Sequence, residues 1–121
     1  MWNEPTIEDL SKLPKLYETE EISIKDKIVH IHLFLAGCDW YACEYDGKDL
    51  FFGYVVLNND FEMAEWGYFS LAELKSLKAA GAFEVDRDLY WNPIQAQNVE
   101  KICEAQGWRN PSEKEAINST N

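Results

Sequence analysis

Three apolar runs of strong β propensity crowd into the stretch between Ile28 and Leu57, separated only by short turn-forming segments. Runs that close together cannot pair in parallel, because a parallel crossover needs a dozen or more residues. Ile28 to Leu35, Asp39 to Asp46 and Leu50 to Leu57 are therefore expected to form an antiparallel meander. Ala36-Gly37-Cys38 makes the first turn. Gly47, between Asp46 and Lys48, marks the second, and Asn58-Asn59-Asp60 ends the third run as a polar turn.

Register decides which side chains meet, since neighbours along a strand point to opposite faces. A three-residue first turn places Leu35 opposite Asp39 and His30 opposite Glu44. One face then carries Val29, Ile31, Leu33, Leu35, Tyr41, Cys43 and Tyr45, and is the expected core. The other mixes His30, His32 and Glu44 with Phe34, Trp40 and Phe51.

Helix signals flank the meander. Thr6 and Asp9 have capping-box spacing, and the short helix they start must end before Pro14. Ser70 to Glu73 is a second capping box, with Leu71, Leu74 and Leu77 as its apolar stripe and Gly81 as C-cap. Glu84 to Trp91 alternates like a fourth strand, with Arg87 on its inward side, where it needs a carboxylate partner or an edge position. Asn92-Pro93 reads as the start of a helix running to about Gln106 and stopped by Gly107. The expected fold is α+β, with the meander, a fourth strand and two main helices packed on one face. Residues 1–108 form one domain, and 109–121 form a polar tail. A composition that is 46% hydrophobic and 14% aromatic supplies one core and excludes disorder for most of the chain.

Charge narrows the function classes. Between Ile28 and Phe69 seven carboxylates face one lysine, a net of −6 in a chain whose total is −11. Direct binding to nucleic acid is excluded for want of Lys and Arg clusters, and an anionic membrane surface is disfavoured for the same reason. A basic protein surface is the favoured partner. Three cysteines, an odd number, without a secretory leader point to a reducing cytoplasm. No apolar run reaches membrane-spanning length.

Candidate chemistry is sparse. His30 and His32 lie two apart on a strand and point the same way, so with Glu44 they form the one metal-ligating set worth naming. Cys43 faces away, however, and the spacing matches no zinc pattern, so no cofactor is expected. Glu84, Asp86 and Asp88 line one strand face as a solvated row. Cys38 and Cys43 lack a basic neighbour that would activate a thiol, and no glycine-rich phosphate loop is present.

Several motifs carry a resemblance over about residues 5 to 100. They include Leu13 to Glu20, Lys25 to Ile28, Cys38-Asp39-Trp40-Tyr41, Glu44 to Gly47, Asp49 to Gly53, Ala64 to Tyr68 and Asp88 to Trp91. Together they resemble a family of short acidic proteins of bacterial chromosomes, plasmids and phages, catalogued as a domain of unknown function. The resemblance implies no activity, cofactor or catalytic residue. Its link to mobile elements tilts the reading toward host–parasite conflict.

The functional expectation is a non-enzymatic, acidic protein-binding module. In its concrete form the acidic surface imitates nucleic acid and blocks a defence nuclease, as anti-restriction or anti-CRISPR inhibitors do. Its partner-binding residues are Asp39, Trp40, Glu44, Asp46, Asp49, Glu65 and Trp66. One alternative is a ligand-binding or metal-dependent enzyme domain on the His30, His32 and Glu44 face. Another is a subunit that forms a homodimer through its aromatic face.

Overall fold

The computed structural model describes residues 1–79 and 81–108; the expected tail at 109–121 lies outside the described residues. The fold is α+β, as expected. Helix α1 (Ile7–Ser11) starts at the Thr6–Asp9 capping box, in which each side chain bonds the other's backbone. An irregular segment and one 3₁₀ turn, Ile24–Asp26, lead into β1 (Ile28–Val29). Strands β2 (Ile31–Leu35), β3 (Cys38–Tyr45), β4 (Leu50–Val56) and β5 (Glu65–Ser70) follow, then α2 (Leu71–Ser76). Next come β6 (Lys78–Ala79), β7 (Phe83–Glu84), β8 (Asp86–Arg87), β9 (Ile94–Gln95), a 3₁₀ turn at Ala96–Asn98, and α3 (Glu100–Gln106). The main sheet is antiparallel with strand order β5-β4-β3-β2-β8, while β1 pairs with β9 and β6 with β7.

The meander forms, but in a different register. The first turn has two residues, Ala36 and Gly37, so Leu35 pairs with Cys38, Leu33 with Trp40 and His32 with Tyr41. A two-residue loop matches the right-handed twist of its strands, and here it prevails over the expected three. Ala36 takes the positive φ (51°), and the Asn59 N–H caps the Gly37 carbonyl at 2.8 Å. The one-residue difference exchanges the faces of β2 relative to β3. Trp40 therefore joins Ile31 and Leu33, and His32 joins Tyr41.

A bulge between Ala42 and Glu44 then turns Glu44 to the opposite side from Ala42. Gly53 faces this bulge because nothing larger fits: a Cβ there would lie 1.8 Å from the Tyr41 carbonyl oxygen. Beyond it, Asp46 accepts from the N–H groups of Lys48, Asp49 and Leu50 and sets the next turn.

Both sheet faces are covered. The first core gathers Leu13, Ile31, Leu33, Trp40, Phe51, Phe69 and Val85 with Leu71 and Leu74 of α2. The second gathers Val29, Tyr41, Cys43, Tyr54 and Val56 with Ala96, Val99 and Ile102. The two helices therefore pack on opposite faces, not on one. Burial on both sides explains why β3 shows almost no polar alternation.

Three further expectations are revised. The expected fourth strand splits at buried Val85: β7 turns back on β6, and β8 pairs with the edge of β2. Arg87 does find a carboxylate, donating from Nη1 to Asp9 Oδ2 at 2.7 Å. Helix α2 stops at Ser76, which leaves Gly81 beyond it, between β6 and β7. The last helix begins only at Glu100, because Ile94–Gln95 is recruited to pair with β1, and it ends at Gly107 as expected.

Gly53→Ala should cost at least about 2 kcal/mol, since the clash is with backbone. Gly67→Ala on β5, where an added Cβ meets nothing within 4 Å, should change stability by less than about 0.5 kcal/mol. Urea unfolding of the two variants checks the contrast.

Candidate functional site

The carboxylates of the central sheet divide into structural and free groups. Asp39 is 5% exposed. Its Oδ1 lies 2.7 Å from His32 Nε2, and its Oδ2 accepts from Lys101 Nζ at 2.6 Å. His32 Nδ1 faces Asp88 Oδ2 at 3.3 Å, and the ring stacks on Tyr41 with centroids 4.6 Å apart. Both imidazole nitrogens are thus engaged. Burial works to raise the Asp39 pKa, but the hydrogen bonds of His32 and Lys101 outweigh it and hold the carboxyl below its ordinary range. Burial, and then the Asp39 charge, push the Tyr41 phenol far up.

Glu44, 4% exposed, is the second buried carboxylate. The bulge in β3 aims it at the irregular segment after Pro14. There it accepts the N–H of Tyr17 at 2.9 Å, the N–H of Thr19 at 3.2 Å and the Thr19 hydroxyl. Buried Lys27 completes the cluster, with Nζ 3.8 Å from Glu44 and donating to Thr19 Oγ1 at 2.8 Å. These bonds hold Tyr17 at φ 69°, a left-handed conformation that is strained for a bulky side chain.

Tyr17 consequently stands 60% exposed beside Tyr68 of β5, with ring centroids 6.5 Å apart. Tyr17, Tyr68, Phe52, Glu20, Lys27 and Glu44 line a cleft of about 260 Å³. Strand β5 pairs with β4 and stands at the end of the sheet order. Along it a second hollow, about 430 Å³, is lined by Leu57, Asp60, Met63, Glu65 and Tyr68 among others. Leu57 and Met63 are 51% and 76% exposed. A strand edge unpaired among the described residues, exposed apolar side chains and carboxylates at Asp60 and Glu65 share this border, and Glu62 is exposed in the segment leading into β5.

The structure separates the residues singled out in the sequence. Trp40 is buried in the first core, so it offers no surface. Asp39 and Glu44 serve internal partners, because a carboxylate in the interior must be hydrogen-bonded. Asp46 holds its turn, and those three backbone bonds keep its pKa low. Asp49 caps α2 by accepting from the Ala72 N–H and the Ser70 hydroxyl. Glu65 is exposed. Trp66 is half-buried under the β5 border, stacked on Phe52, and its Nε1 has no acceptor among the described residues.

The proposed metal set does not assemble. His30 lines a cleft of about 210 Å³ with Lys12, Arg87, Asp88 and Trp91, while His32 and Glu44 sit in separate clusters. Among the described residues no group of three or more His, Cys, Asp or Glu is placed to hold a metal ion. Burial lowers the pKa of His30 and pushes the Cys43 thiol up to about 12. Sequence reasoning missed Tyr17 and Tyr68 as a pair, because nothing in the sequence shows a tyrosine at positive φ. Among the described residues no helix is long and apolar enough to cross a membrane.

Two predictions follow from the buried carboxylates. Asp39 has a native pKa below its unfolded value, so its contribution is complete above about pH 4 and is lost as pH falls through the native value. Asp39→Asn should lower stability at pH 7 by about 1–3 kcal/mol and flatten the acid limb of a stability–pH curve. Glu44→Gln replaces one acceptor by a donor facing donors. It should speed hydrogen exchange at the Tyr17 and Thr19 amides well before any change in the sheet amides.

Among curated proteins and solved structures, none matches the chain. A family model does match, over residues 10–101, the greater part of the chain and all five strands of the main sheet. By that match the chain belongs to the family described as "Protein of unknown function (DUF2958)".

Proposed function

We propose that the chain is a non-enzymatic, acidic protein-binding module that docks a basic partner along the outer border of β5. The observation that carries this reading is the coincidence on that border of a strand edge unpaired among the described residues, exposed Leu57, Met63, Tyr68 and Tyr17, and the carboxylates of Asp60 and Glu65, with exposed Glu62 in the segment before β5. Strand edges bind by main-chain hydrogen bonds, aromatic side chains give anchors, and rim charge speeds and orients the encounter. In the concrete form the partner is a defence nuclease whose nucleic-acid groove the acidic surface occupies. The net charge of −11 and the resemblance to proteins of mobile elements support that form. Two side chains suited to chemistry are committed elsewhere: both His32 nitrogens face carboxylates, and Cys43 is buried.

The work of recognition therefore passes from Asp39, Trp40 and Glu44 to the exposed neighbours of Glu65. A photo-crosslinking residue at position 65 or 68 should capture a basic protein in cells, whereas one at position 7, on exposed Ile7 of α1, should not. Binding to the purified partner should weaken at least about tenfold between roughly 0.1 and 0.5 M salt. Combined reversal of Asp60, Glu62 and Glu65 to Lys should weaken it as much. Competition by duplex DNA separates the nucleic-acid mimic from a plain protein binder. Salt-independent affinity that survives the triple reversal would remove the reading.

A further inference from the structure

The cleft between Tyr17 and Tyr68 has a chemistry of its own. Its sides are two exposed phenol rings inclined at 57°, and Phe52 joins the lining. Glu20 is an exposed carboxylate at its margin, and Glu44 lies behind Tyr17. The chain already places a cation here. Lys27 Nζ sits 5.9 Å from the Phe52 ring centroid, and it is buried and bonded to Thr19, so it is not free to bind a visitor. The Tyr17 hydrogen bond first, then burial, and after them the charges of Tyr17, Glu44 and Glu20 raise the Tyr68 pKa.

The backbone at Tyr17 adds an independent observation. A bulky residue at φ 69° is strained, and a buried carboxylate holds it there. In that conformation the Tyr17 ring lies beside Tyr68, next to the carboxylates of Glu20 and Glu44.

We infer that this cleft receives the guanidinium of an arginine side chain on the basic partner, a step that rests on the reading above. A guanidinium is flat, weakly hydrated and permanently charged. It stacks on aromatic faces while its N–H groups reach a carboxylate, whereas an ammonium is compact and strongly hydrated and gains less from inclined rings. The cleft has open aromatic faces, a carboxylate at its mouth and its one lysine tied inward, which is the complement of that group.

The probe is N-acetyl-arginine-N-methylamide, titrated into the whole chain while the Tyr17 and Tyr68 ring resonances are followed by NMR. The corresponding lysine and citrulline derivatives are run in parallel. Citrulline has nearly the shape of arginine without its charge. Saturable shifts of both rings with arginine, weaker ones with lysine and none with citrulline are expected. Tyr68→Ala should weaken arginine binding about fivefold. Tyr17→Gly should do the same while relieving the strained φ, so its fold is retained and its thermal melt checks this. Equal responses to arginine and citrulline, no saturation, or unchanged binding in the folded Tyr17→Gly protein would overturn the inference. Capture of a basic partner at β5 with no arginine response would remove this inference alone. An arginine response with no partner at β5 would remove the docking reading and keep the cleft.

Discussion

The site depends on the carboxylate of Glu44. A bulge in β3 turns this side chain through the sheet, and its two oxygens take up the backbone of Tyr17 and Thr19 and the Thr19 hydroxyl, with Lys27 alongside. A segment with no strand or helix of its own thereby becomes part of the surface beside β5. Burying a carboxylate is costly unless its lone pairs are filled, and here they are. The bulge itself is possible only because Gly53 leaves room opposite it. The chain of cause runs from one missing side chain on β4, through a turned strand, to two tyrosine rings set side by side at the border, inclined at 57°.

Acidity works at two depths in this molecule. Asp39 and Glu44 act inside, where each is matched by His32 and Lys101 or by Thr19 and Lys27. Asp46 and Asp49 act at element ends, where backbone N–H groups are short of acceptors. Asp60 accepts the Met63 N–H at 3.3 Å through Oδ1, while Glu62 and Glu65 stand exposed and make no ion pair among the described residues. Net charge alone does not separate these roles. Burial and hydrogen bonding do.

Much of the fold was legible in the sequence because it rests on local signals. The capping box at Thr6, the N-cap at Ser70, the glycine stop at Gly107, the meander and the need of Arg87 for a carboxylate all follow from spacing and residue type. What was not legible depends on one-residue counts. A two-residue turn at Ala36-Gly37 and a bulge near Cys43 together decide which face each β2 and β3 side chain takes, and neither has a distinctive composition. Strand β5 carries no clear signal in the sequence, because Gly67 interrupts its aromatic run. Glu44 stood out as a charge in an apolar strand, yet its direction and its hold on Tyr17 needed the structure.

The central claim is that the border of β5 with the Tyr17–Tyr68 patch is the docking surface. Amide hydrogen exchange of the chain, alone and bound to the basic partner captured through position 65 or 68, tests it most directly. The account predicts slowed exchange across 65–70 and at Tyr17, with the amides lining the His30 cleft unchanged. Protection confined to the His30 cleft, with β5 exchanging as in the free protein, would contradict it.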